Sequence, residues 1–415
     1  MSILNNLSCD LYWQELLQSK KDGGHLSRYE ERELTEFIEK KEYLSVVEGI
    51  LNKEPFALPE AVLLNKKHSN KKRTVFVFSH AENMVLKLLA FLLNKYDYLF
   101  PENLYSFRKN KCVKNAISSI VSEAQKNSLY SYKVDIHDYF NSIDTTDILR
   151  VLDKEITDDS ELNDFIRQLL LEPRCIKDGE IITCQKGIMA GAPISGFLAN
   201  LYLKEMDEWF ESRNILYARY SDDIIVFAKT REELFDYECK IKEFLSKKRL
   251  TVNEKKEIST LPQQKWEFLG FSIDERSIDI STVSLNKIKD KMRRKARALL
   301  RWKKRSNATD ERAIVAFIKH FNKKLYNNPV KNDITWCRWY FPTITTEKSL
   351  HEIDKYMLSC IRFIATGRHT KANYNLRYED IKGLGYKSLV NAFFEYKKTG
   401  VLSKIDTPPS KNDEG

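Results

Sequence analysis

The chain has no cysteine framework. Its seven cysteines, Cys9, Cys112, Cys175, Cys184, Cys239, Cys337 and Cys360, are odd in number and scattered, and none belongs to a C-x-x-C pair. That spacing argues against a zinc site or a disulfide scaffold and for free thiols in a reducing compartment. A long apolar run is missing as well. The most apolar stretch, MVLKLLAFLLNKYDYLF (84–100), carries Lys87, Lys95 and Asp97, so it is predicted to be a buried helix and not a bilayer span. The opening MSILNNLSCDLYWQELLQSKK has no basic segment running into an apolar core and a cleavage site, which predicts no secretory signal. No internal repeat is visible. Low complexity is confined to DTPPSKNDEG (406–415), which is expected to be disordered. Together these absences predict a soluble cytoplasmic protein without a membrane partner.

What is present is charge of one sign in excess. Lys and Arg outnumber Asp and Glu by 69 to 59, a net +10, which favours a polyanionic partner, nucleic acid ahead of an anionic surface. A hydrophobic share of 42% over 415 residues is enough for a folded chain of two or three domains. Residues 1–60 read as a charged helical extension, with Ser27 a candidate cap. AVLLNKKHSNKKRTVFVFS (61–79) reads as a hairpin, followed by helices over 81–96 and 112–127. A strand is expected within YSYKVDIHDYFNSID (130–144), then a helical stretch (145–171), a hairpin around KDGE, and a Gly-rich turn entering an amphipathic helix (186–213). Two strands meeting at Ser221-Asp222-Asp223, a helix (231–248), a strand near LTVN and a hairpin around FLGFSIDERSIDIS complete an α+β pattern. From 285 to about 400 the pattern is all helical, and composition shifts near 281.

The stretch YARYSDDIIVFAK (217–229) sets two adjacent aspartates in an otherwise apolar and aromatic run. Unpaired buried carboxylates are costly, and neighbours repel. An Asp-Asp pair is ordinarily a solvated turn. Here the flanks place Asp222 and Asp223 at the tip of a buried hairpin, and YKVDI places Asp135 on an apolar strand beside it. Divalent cations would neutralise such a cluster. Mg²⁺ suits it, since it accepts a few carboxylates and leaves positions for water and phosphate oxygens. Two ions can activate a hydroxyl and stabilise a leaving oxygen in displacement at phosphorus.

At these residues the chain resembles the reverse transcriptases. YSDD is similar to their Tyr-x-Asp-Asp signature, and KVDIHDYFNSID to the first palm motif. GIMAGAPISGFLANLYL, LTVNEKKEIS and EFLGF resemble the Gly-Gly-Pro, Leu-x-x-Asn-x-x-Lys and Phe-Leu-Gly-Phe blocks, while KKRTVFVFS and LYSFRKNKC resemble the finger motifs. The likeness runs in order over roughly 60–275. It implies a right-hand polymerase: an N-terminal extension (1–60), fingers and palm (61–280), a basic helical thumb (281–345) and a helical C-terminal region (346–415). It implies RNA-directed DNA synthesis from dNTPs, on an RNA template that yields cDNA, with two Mg²⁺ ions or Mn²⁺ in their place. Asp135, Asp222 and Asp223 match the metal-binding catalytic triad, and Phe140 the aromatic that excludes a ribose 2′-hydroxyl. Arg73 matches the arginine on the incoming triphosphate, with Lys66, Lys71 and Lys72 nearby. Lys255 matches the late-palm lysine, and Arg108 braces the fingers or the template.

One departure stands out. Where the family carries Pro-Gln before its turn, this chain has Met189 and Ala190, so an amide that contacts nucleotide and template is absent. In LNKIKDKMRRKARALLRWKKR (285–305), Arg293, Arg294 and Arg297 lie in a helix with one acid among many cations, which suits phosphate tracking along a duplex better than a mixed solvated face. Trp336, Trp339 and Tyr340 are read as core ahead of base-stacking platforms. Retron insertions are not evident, and group II intron enzymes run longer. RWYFP and GYKSL resemble the defence-associated bacterial enzymes, which implies a dedicated non-coding RNA template. Three other readings stay open: an RNA-dependent RNA polymerase, a non-templated or protein-primed synthesis, and an inactive RNA-binding scaffold.

Overall fold

The computed structural model describes residues 2–22, 26, 28–65, 72–184, 187–326, 335–368 and 375–402. Two compact units emerge, Met1–Lys20 with Glu31–Leu269, and Lys21–Glu30 with Gly270–Gly415. Lys66 and Lys71, and the tail 406–415, lie outside the described residues.

The first unit holds two four-stranded sheets. In one, β1 (Glu60–Asn65) and β2 (Lys72–Val77) form the expected hairpin, and β1 runs parallel to β4 (Arg174–Lys177), which turns into β5 (Glu180–Thr183). In the other, β3 (Tyr130–Asp135) is central, with β7 (Asp223–Ala228) and β8 (Ile258–Thr260) antiparallel on either side and β6 (Tyr217–Tyr220) outside β7. The run IIVFA of β7 is buried throughout, as a strand covered on both faces requires. Helices α1 (Val113–Asn127) and α2 (Arg231–Lys247) pack on this sheet, and a capping box between Thr230 and Glu233 starts α2.

Two expectations shift. The apolar helix beginning at His80 ends at Leu92 and passes into a 3₁₀ turn (Leu93–Leu99). The strand expected at LTVN makes only a single bridge, Val252 to Ile136, and the true strand β8 comes later. Asn253 is the reason. Its backbone N–H and side-chain amide both bind Asp135, and the chain then turns through Glu254–Lys256. The N-terminal residues are part of this first unit: Trp13, Phe37 and Tyr43 cluster in its interior, and the N–H of Ile3 donates to Asp159 at 2.7 Å.

The second unit opens with β9 (Phe271–Ile273) and β10 (Ile278–Ile280), an antiparallel hairpin. The change of unit therefore falls at 269/270, ahead of the composition shift near 281. The hairpin leans on helical residues: Thr345 donates to the Ile278 carbonyl at 2.8 Å. Helix α3 (Thr282–Ser306) buries Leu285, Ile288, Met292, Ala296 and Leu299 against α4 (Asp310–Leu325) and α5 (Lys348–Thr366). Tyr340 is buried, with Trp336 and Trp339 half-buried beside it. No helix among the described residues is long and apolar enough to cross a membrane.

Candidate active site

Strand register brings the first carboxylates together. Asp135 is the last residue of β3 and stands opposite Asp223, the first of β7. Asp222 sits in the turn between β6 and β7, and its carbonyl accepts from Ile136 N at 3.0 Å. Asp135 is 4% exposed, while Asp222 and Asp223 are half-buried. Burial, then the neighbouring charges of Asp222 and Asp135, push the Asp223 carboxyl up to about 6, against the pull of Lys133 and Lys256.

The turn is held from beneath by groups that sequence reasoning passed over. Ser221 has φ 61°, a left-handed conformation that a non-glycine residue adopts only when its surroundings impose it. Its N–H donates to Ser106 Oγ at 2.8 Å, and Ser106 in turn donates to Asn200 Oδ1 at 3.1 Å. The Arg219 guanidinium reaches the Ser221 carbonyl at 3.3 Å and the Asn200 carbonyl at 3.1 Å. Arg219 and its partner Asp207 are both fully buried, and Tyr217 donates to the same carboxylate at 2.9 Å. An arginine in a strand as apolar as YARY was the available signal, since a buried guanidinium demands a carboxylate.

Asp135 is also gripped from the β8 side. Asn253 Nδ2 donates to Oδ1 at 3.0 Å and Lys256 Nζ to Oδ2 at 2.5 Å. Burial alone would lower the Lys256 ammonium's pKa, but the hydrogen bond to Asp135 and the charges of Asp135, Asp223 and Asp222 hold it above its ordinary value. Lys255 is exposed, and the lysine that meets Asp135 is its neighbour Lys256. The motif spacing agrees: Leu250, Asn253 and Lys256 fit Leu-x-x-Asn-x-x-Lys, which Lys255 misses by one residue.

Phe140 follows Asp135 by five residues and belongs to an aromatic pair. Phe140, half-buried on a short helix (Tyr139–Ser142), meets Phe107 edge-on at 6.0 Å between ring centroids. Phe107 is 55% exposed and packs over Gly196, where an added Cβ would lie 2.6 Å from the ring. Gly187 (φ +53°) lies so close to the Phe140 carbonyl that a Cβ would come within 2.3 Å of it. Met189 and Ala190 are buried, and the Ala190 carbonyl accepts from Phe76 N of β2 at 2.8 Å, tying the turn to the finger hairpin. Arg73 lies in β2, paired with Leu64. Lys72 beside it is exposed.

Arg108 is placed otherwise than a nucleic-acid contact would be. Its side chain is 4% exposed, bound to Asp97 at 2.8 Å and to the carbonyls of Pro101 and Leu104. It braces its own loop. Arg293, Arg294 and Arg297 are exposed on α3 in the second unit, with Arg293 paired to Asp290 at 2.6 Å. On the neighbouring α4, burial and the charges of Lys324, Lys295 and Lys323 push the His320 imidazole down to about 4.

Carboxylates alone make a hard-cation donor set, and a cation beside Asp223 would oppose the burial and the neighbouring carboxylates that push its carboxyl up. Among the described residues no three Asp, Glu, His or Cys side chains converge tightly enough to grip an ion as they stand. Both oxygens of Asp135 are already engaged, by Asn253 and Lys256.

The reverse transcriptase (RNA-dependent DNA polymerase) family matches residues 64–273, which takes in Asp135, Asp222 and Asp223, the Ser221 turn, Phe107 and Phe140. Two curated relatives from Escherichia coli are similar over part of their length. The retron Ec73 reverse transcriptase is 27% identical over 205 residues, covering 42% of this chain and 61% of the relative. The retron Ec86 reverse transcriptase is 23% identical over 164 residues, covering 36% and 51%. Each match spans less than two thirds of the relative's own length. Both are retron enzymes, the branch from which the missing insertions had pointed away. Among solved structures, apo telomerase from Candida tropicalis matches with a TM-score of 0.43 at 14% identity, over 79% of this chain and 69% of that one.

Proposed function

The chain belongs to the reverse transcriptase family, and from that premise we propose that it is an RNA-directed DNA polymerase in which the 3′-hydroxyl of a primer attacks the α-phosphate of a dNTP and pyrophosphate leaves. The observation that carries the reading is the register of β3 and β7, which sets Asp135 against Asp223 beside Asp222 on a turn fixed by buried hydrogen bonds. Asp135, Asp222 and Asp223 would hold the divalent ions, Mg²⁺ by preference. When bound, such ions lower the barrier by activating the hydroxyl and screening the charge on the transferred phosphate. The protein's own part is to place the carboxylates, to orient the nucleotide and to exclude ribose.

Phe140 would pack its ring against the deoxyribose, a reading supported by Phe107 and the Phe140–Gly187 contact, which fix its position. Arg73 would neutralise the triphosphate from the finger hairpin. The second unit supplies the thumb, α3 tracking the phosphates of a primer–template duplex. The template is a dedicated non-coding RNA and the setting antiphage defence, a reading supported by the resemblance of RWYFP and GYKSL to defence-associated enzymes. Sequencing the nucleic acid that co-purifies with the protein identifies template and product together.

The deciding experiment is primer extension by Asp222→Asn. The amide keeps the shape but removes charge, so dNTP incorporation should fall by about two orders of magnitude or more while RNA binding persists. Incorporation at the normal rate in that variant removes the catalytic assignment.

A further inference from the structure

The carboxylate cluster carries an internal cation. Lys256 Nζ sits 2.5 Å from Asp135 Oδ2, an ion pair inside the cluster of Asp135, Asp222 and Asp223. We propose that Lys256 is a resident counter-ion: it occupies Asp135 while no divalent ion is bound and is displaced when one arrives, so that metal loading exchanges an ammonium for the metal. The proposal rests on the reading of these three aspartates as a metal site and adds to it a competitor built into the chain.

Geometry decides which partner of Asp135 can yield. Asn253 is held at its backbone, its N–H donating to the Asp135 carbonyl at 2.7 Å, and Thr251 just before it accepts from His137 N at 2.8 Å. Moving Asn253 would break the edge of the sheet. Lys256 ends the short 3₁₀ turn Glu254–Lys256 and its side chain is 55% exposed, so it reaches Asp135 on a four-carbon stem from solvent. Swinging that stem outward disturbs no backbone bond. It also returns the ammonium to water, which limits the cost of leaving. The charges make the exchange favourable only in one sense. An unneutralised trio of carboxylates repels itself, so one cation must be present; a divalent ion bound by several oxygens replaces one bound by a single contact. Lys133 lends Asp223 a further positive charge.

A counter-ion and a mere brace behave oppositely when removed. If Lys256 only oriented Asp135, its loss would weaken ion binding. If it competes, its loss strengthens it. The test uses the full chain without nucleic acid, with Mn²⁺ as the probe and free Mn²⁺ counted by electron paramagnetic resonance. Lys256→Gln should bind Mn²⁺ about three- to tenfold more tightly than the wild type, the range set by a half-exposed charge pair under solvent screening. In EDTA its melting temperature should fall below the wild type's, and Mn²⁺ should raise it by more. Lys256→Arg, which keeps the charge, should bind Mn²⁺ with near wild-type affinity and shows that any change comes from charge and not from misfolding. Equal or weaker binding by Lys256→Gln, with a wild-type ion that Asp222→Asn removes, overturns the counter-ion and leaves the metal site standing. A wild-type protein with no ion sensitive to Asp222→Asn overturns both.

Discussion

At the scale of single residues, the chemistry depends on side chains whose burial is paid for by specific partners. Phe140 is the case where identity matters most. It is half-buried and meets Phe107 edge-on, so truncation opens space at this ring without emptying a core, and on the proposed reading that space lies beside the sugar. Phe140→Ala should therefore raise rNTP incorporation relative to dNTP, measured as the ratio of the two efficiencies, because the selection is steric. An unchanged ratio assigns the gate to another residue. Arg219 makes the opposite prediction, a loss of stability. With Asp207 it forms an ion pair fully out of solvent beneath the Ser221 turn. Arg219→Met leaves that carboxylate buried and uncompensated, at a cost of about 3–5 kcal/mol in denaturant unfolding. Replacing both partners by apolar residues should recover much of it, since nothing charged then remains buried. Activity in that double variant should stay low, because the guanidinium's bonds to the Ser221 and Asn200 carbonyls are gone.

At the scale of elements, what was legible depended on whether a segment's own pattern decided its structure. The β6–β7 hairpin was readable because IIVFA leaves no alternative to a buried strand and the paired acids mark its turn. The helix over 285–305 was readable from its apolar stripe, which the structure buries at Leu285, Ile288, Met292 and Leu299. Positions fixed by distant partners were not readable. Nothing near LTVN announces that Asn253 binds Asp135, more than a hundred residues earlier, and this contact turns the chain into a 3₁₀ segment and moves the strand onward. The choice between Lys255 and Lys256 is different: the spacing from Leu250 and Asn253 already favours Lys256 in the sequence, and the structure adds its ion pair with Asp135. His320 shows what a pair of helices adds. Burial and three lysines hold its imidazole near 4, below the ordinary 6.5. The unfolded chain therefore takes up this proton first as pH falls. The stability His320 contributes is whole above about 6.5 and drains away as pH drops toward 4. A phosphate among Lys295, Lys323 and Lys324 reverses the field, so binding of an RNA–DNA duplex should lift the His320 value, read from the pH dependence of its imidazole resonance. A value that stays near 4 in the complex takes this lysine cluster out of the duplex contact.

At the scale of the whole molecule, the division of labour between a carboxylate-bearing unit and a basic helical unit has a measurable signature. The net charge of +10 is not spread evenly in kind: three acids of the first unit, Asp135, Asp222 and Asp223, gather at one site, while α3 carries cations along an exposed face. Binding a duplex through such a face releases condensed counterions, so affinity must fall steeply with salt, whereas chemistry at the carboxylates need not. Reversing Arg293, Arg294 and Arg297 to Glu separates the two. Arg293 already spends part of its charge on Asp290 at 2.6 Å, so it contributes less to a phosphate contact than its neighbours do. The slope of log affinity against log salt should accordingly flatten by about two units, within a range of roughly one to three. Affinity for primer–template should drop with it, and processivity should fall further than the rate of a single addition on saturating substrate. The reversed charges also sit beside α5, where Lys289 pairs with Glu352, so folding is checked by the melting profile before binding is read. A folded triple variant with unchanged affinity and salt slope would make the arginine face of α3 a solvated one, and the duplex contact would then fall to Lys323 and Lys324 of α4 beside His320, which the imidazole titration addresses independently.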